Sequence, residues 1–124
     1  MNNQSNLAKL ILRLGFGGLM LVHGISKMMM LFEGKTDQFP DPLHVGSTGS
    51  LILTVFAELI CAGLIVIGYK TKWAVIPIII TMLVAAFIVH KEDPLGNKEL
   101  ALIYSIGFIA IGMLGAGKYS LDRK

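Results

Sequence analysis

His23, Lys27 and Glu58 are the residues of this chain whose types and setting define chemistry. Each stands inside an apolar stretch. Glu58 is the one formal charge in LILTVFAELICAGLIVIG, residues 51–68. An ionised carboxylate facing lipid there costs several kcal/mol, so Glu58 is expected to face protein, to be protonated or to meet a basic partner. His23 and Lys27 lie in LAKLILRLGFGGLMLVHGISKMMMLF, one helical turn apart and therefore on one face. Histidine, a perturbed glutamate and tyrosine exchange protons near neutral pH and hydrogen-bond carbonyl oxygens. Tyr104, His90 and Glu99 are further candidates for such a pocket. Arg13 is separate, close to the other end of its segment, and is expected either to snorkel to headgroups or to pair with Asp122 of the tail; snorkelling is preferred.

Positioning these residues falls to long apolar helices. The chain has 124 residues, 54% hydrophobic and 15% charged, with a mean hydropathy of +0.70. That lies outside the soluble range and defines a polytopic membrane protein of one domain. The expected fold is all-α, a four-helix transmembrane bundle with spans at about 7–32, 51–69, 73–90 and 99–115. The first segment reads as a span rather than a cleaved signal, because three more hydrophobic segments follow. Ser47–Ser50 are expected to cap the second span, and Pro77 to sit in the first turn of the third, where a missing N–H is tolerated. Phe39-Pro40-Asp41-Pro42 favours extended or turning backbone in the longest loop.

Topology follows from the basic residues. Lys9, Arg13, Lys70, Lys72, Lys118, Arg123 and Lys124 share one side of a four-span arrangement, against Lys27, Lys35, Lys91 and Lys98 on the other. Seven against four places the N- and C-termini in the cytoplasm. Glu58 then lies seven residues, or about 10 Å, below the outer boundary, and His23 eight residues, or about 12 Å, below it. The matching depths make His23 the preferred partner of Glu58 and Lys27 the second. A purely structural role, in which the three satisfy one another and hold the bundle, stays open.

Other chemistries find little support. Cys61 is the single cysteine, so neither an intrachain disulfide nor a CxxC pair is available. No metal-ligand array, haem or iron–sulfur ligation pattern, phosphate loop or catalytic triad is recognisable, and no basic patch interleaved with aromatics points to nucleic acid. No autonomous catalytic residue is assigned.

Several ordered motifs resemble the DoxX family of small four-span membrane proteins. They are LILRLGFGGLMLVHGISK at Leu10–Lys27, FPDP at Phe39–Pro42, VFAELICAGLIVIGYKTKWA at Val55–Ala74, HKEDP at His90–Pro94, KELALIY at Lys98–Tyr104 and GAGKYSLD at Gly115–Asp122. Ala116 stands where proline is usual, and Lys72 where arginine is common. The resemblance implies a prokaryotic cytoplasmic (inner) membrane location and an association with redox work. It makes a quinone the candidate cofactor, held in an outward-facing pocket by a membrane subunit of an oxidoreductase. The alternative it implies is a non-catalytic assembly or scaffold component. The expected partners are the lipid bilayer, a redox or assembly protein, and further copies of the chain.

Overall fold

The computed structural model describes residues 3–35, 44–89 and 95–122. Every regular element among them is helical: α1 (Asn3–Phe32), α2 (Ser47–Ile67), α3 (Thr71–Val89) and α4 (Leu95–Leu114). α1, α2 and α3 are each long and apolar enough to cross a membrane. α4, with 20 residues, packs chiefly along α3.

Contacts between named residues fix the directions. Arg13 of α1 meets Ile65 and Val66 of α2, whereas Lys27 meets Glu58, so the two helices run antiparallel. A Cβ added at Gly112, late in α4, would touch the Val75 side chain, early in α3, which makes this pair antiparallel too. Phe16 of α1 places its ring against Tyr104 and Phe108 of α4. α2 is the most enclosed helix, with 44% of its apolar stretch buried against 28% in α1 and in α3. Ala57, Cys61, Ala62 and Ile65 of α2 join Met20, Ile78, Phe108 and Ile111 in the core. Small side chains in the central helix let its neighbours approach closely, which is how apolar helices gain packing when lipid competes for their surface.

The remaining apolar surface faces outward. Leu19, Val22, Ile60, Ile80 and Ile106 are all at least half exposed. In water such surface would drive association; around membrane helices it meets acyl chains. Trp73, Tyr69 and Tyr119 are exposed together at the end that carries the α2–α3 turn and the tail, hereafter the tail end, where amphipathic rings suit a headgroup layer. The opposite end, with Phe32 and Ser47, is the loop end.

Three local expectations are corrected. α2 starts at Ser47 directly after Gly46, without a side-chain cap, so Ser47–Ser50 form the first turn; the Ser50 N–H reaches the Gly46 carbonyl at 2.8 Å. α3 starts at Thr71, which puts Pro77 inside the helix, beyond its first turn. The start is early because the Asp122 carboxylate accepts the Lys70 and Thr71 N–H groups at 3.0 and 3.1 Å. α4 begins at Leu95, earlier than the apolar run alone indicates.

α2 ends where Gly68 takes φ +75°, with Gly68 N–H bonded to Ile65 and Tyr69 N–H to Leu64, the pairing that closes a helix on a left-handed residue. Any side chain at 68 would also collide with Ser120 of the tail. Leu121 and Asp122 donate their N–H groups to the Ile67 and Gly68 carbonyls at 3.2 and 2.9 Å, which straps the tail across this turn.

Candidate functional site at the loop end

Glu58 lies in the middle of α2 and is 1% exposed. It falls within a six-residue π-helical turn, Phe56–Cys61. Such a turn holds an extra residue and widens the helix face, so the adjacent pairs Ala57–Glu58 and Cys61–Ala62 are all buried. π-turns inside α-helices concentrate at functional sites.

The geometry selects Lys27 as the partner of Glu58. Lys27 Nζ donates to Glu58 Oε2 at 2.6 Å. The preferred pairing with His23 is corrected: His23 makes no hydrogen bond to Glu58, and its ring stands edge-on to Tyr104 at 5.7 Å between centroids and 87° between planes. Depth equality was right in kind, but azimuth decides contact. The flexible lysine stem reaches across from the turn above, while the short histidine ring is turned toward α4.

The approach of α1 to this turn depends on Gly24. A Cβ there would lie 2.6 Å from the Glu58 carbonyl oxygen and 2.8 Å from the Leu59 nitrogen, so the two backbones touch without room for a side chain. Gly24 thus brings the face carrying His23 and Lys27 onto the π-turn.

Lys27 saturates only half of the carboxylate. Glu58 Oε1 is fully enclosed and has no hydrogen-bond partner among the described residues. A buried acceptor left this way costs about 1–3 kcal/mol. Lys27 is less enclosed, with its side chain 28% exposed. Tyr104 is buried and within electrostatic reach of Glu58, and it stacks on Phe108 at 6.1 Å and meets Phe16 edge-on at 6.2 Å. Tyr104 is thereby part of the core. Glu99 lies exposed in the first part of α4. His90 falls outside the described residues. The structure therefore brings together Glu58 with Lys27, and His23 with Tyr104.

Arg13 is organised quite differently. It is 1% exposed, so snorkelling is corrected: the guanidinium turns inward. Nη1 donates to the Ile65 and Val66 carbonyls at 3.2 and 2.9 Å, and Nη2 donates to the Tyr119 carbonyl. These acceptors belong to the last turn of α2 and to the tail, where a cation also suits the helix C-terminus. Asp122 is near enough to act on Arg13 electrostatically while its oxygens cap α3. Sequence reasoning missed the π-turn and the tail strap. The first has no compositional signature, and the second joins residues more than fifty apart; only the isolated Asp122 in a basic tail hinted at it.

Apolar helices of spanning length, joined by a buried ion pair, define a multi-pass helical membrane protein in contact with the bilayer. The chain belongs to the DoxX family, whose model matches residues 8–91, a stretch that includes Arg13, His23, Lys27 and Glu58. An uncharacterized protein of Haemophilus influenzae (strain ATCC 51907 / DSM 11121 / KW20 / Rd) is 27% identical over 123 residues, covering 91% of this chain and 87% of that protein. No solved structure matches the chain.

Proposed function

We propose that the chain is a redox-associated membrane subunit that binds a quinone-class molecule beside Glu58, Lys27, His23 and Tyr104. In this reading the whole chain forms one four-span unit in a prokaryotic cytoplasmic membrane. Seven basic residues on the tail side against four on the loop side support cytoplasmic termini and a cluster in the outer half of the bilayer.

The observation that carries the reading is the half-paired carboxylate. Enclosed polar atoms without a partner cost stability, and of the three among the described residues, Arg13 Nε, Glu58 Oε1 and Thr71 Oγ1, Glu58 Oε1 is the one on a carboxylate beside a partly exposed cation. Retention of that atom beside a lysine, a histidine and an aromatic wall suits a ligand that is flat, apolar at its centre and polar at its rim. Lys27 and His23 supply donors for a ring oxygen, and Phe16, Tyr104 and Phe108 supply apolar ring contacts. When bound, a quinone-class group carries electron pairs together with protons. The chain's own residues hold and orient it, and the electrons come from a partner protein.

A second reading is favoured by Arg13, whose guanidinium joins α1, α2 and the tail through three backbone carbonyls. In it the polar network is architectural and the chain is an assembly or scaffold component. Purification in lipid nanodiscs, followed by solvent extraction and mass spectrometry, separates the two. The first reading expects a quinone-class molecule in wild type and its loss in folded His23→Ala and Tyr104→Leu variants. If wild type carries none, and the variants instead lose a co-purifying protein, the scaffold reading replaces it.

A further inference from the structure

We propose that the loop-end site prefers the hydroquinone form of its ligand to the quinone form, an inference that rests on the ligand reading above. The two oxygens of Glu58 are unequal. Oε2 takes Lys27 Nζ at 2.6 Å, while Oε1 is enclosed and accepts from no described residue. An ionised carboxylate accepts hydrogen bonds and cannot donate them. What completes Oε1 must therefore bring a hydrogen of its own.

The two redox forms of a quinone differ in that property. Both oxygens of the oxidised ring are carbonyls, so placing one beside Oε1 sets lone pair against lone pair. Each oxygen of the reduced ring carries a hydroxyl hydrogen, and an O–H donated to a carboxylate is among the strong, charge-assisted hydrogen bonds. The hydroxyl oxygen still accepts, which matches the two ammonium hydrogens that Lys27 retains beyond the one given to Oε2. Oε1 is thus a group that the hydroquinone satisfies and the quinone leaves bare.

Sites built to hydrogen-bond a hydroxyl reject analogues that lack it, by large factors where water is excluded. Here Lys27 is 28% exposed, so water moderates the contrast. The expected preference is about tenfold or more. For a two-electron couple, tighter binding of the reduced form by tenfold raises the potential of the bound molecule by about 30 mV.

The test is equilibrium binding of decylubiquinone and of its hydroquinone, kept reduced under argon, to the full chain in neutral-lipid nanodiscs. Partition into empty nanodiscs is subtracted. Wild type is expected to bind the hydroquinone about tenfold more tightly or better, and the E58Q protein to bring the ratio below about threefold, because an amide donates to the quinone as readily as it accepts from the hydroquinone. Equal affinities in wild type, or a preference that persists in E58Q, overturn the inference while leaving the ligand reading in place. Saturable binding of neither form removes both. Should E58Q not fold, the wild-type ratio alone decides, since it involves no variant.

Discussion

At the scale of single residues, the Lys27–Glu58 pair sets both the stability and the chemistry of the loop end. Charges removed from water are held only while paired, and the loss of one partner strands the other. Lys27→Met leaves the Glu58 carboxylate buried without its cation. The expected cost is about 3 kcal/mol, the low end for a broken buried pair because Lys27 is 28% exposed. The double change Lys27→Met with Glu58→Gln is expected to recover more than half of that loss, since no charge is then stranded. Thermal unfolding of wild type, both single variants and the double variant in one detergent checks the cycle; Lys27→Met as stable as wild type contradicts it. Hydropathy and residue depth made Glu58, His23 and Lys27 legible as one group in the sequence. Which of the two bases meets the carboxylate was not, because depth gives height along a helix and says nothing of rotation about it.

At the scale of elements, the ends of the helices are decided by groups far away in the chain. The apolar runs that make α1, α2 and α3 are plain in the sequence, yet the start of α3 depends on Asp122, some fifty residues later. A local reading could only place Pro77 near a helix start, as its missing N–H demands, and so began the helix too late. Asp122→Ala removes acceptors from two N–H groups in the α2–α3 turn. The expected loss is about 1 kcal/mol, as for other helix caps, together with faster proteolysis of the tail. Hydrogen exchange at Lys70 and Thr71 measures it directly, and unchanged protection would show that the cap is not what holds the turn. The π-turn around Glu58 is the other hidden element. Neither composition nor period marks it, and it lies where the backbones of α1 and α2 meet at Gly24.

At the scale of the whole molecule, the two ends divide their labour. The tail end is tied together: Arg13 donates to three carbonyls of two segments and the tail strap covers the α2–α3 turn, while the enclosed Arg13 Nε and Thr71 Oγ1 have no hydrogen-bond partner among the described residues. The loop end keeps an enclosed acceptor without a donor, next to a cation that water still reaches. Membership of the DoxX family and an all-helical, multi-pass class were legible from motif order and hydropathy. The strapping of the tail end was not, since Arg13, Leu121 and Asp122 donate there to backbone carbonyls, which any sequence supplies. The proposed ligand recognition at the loop end is tested most directly by photolabelling with an azido-quinone. In nanodiscs, with an excess of unmodified quinone as competitor, the displaceable label is expected on peptides containing His23–Lys27 and Tyr104, and to vanish in His23→Ala. Displaceable label concentrated around Arg13 and the tail, or labelling that competitor does not reduce, would contradict it.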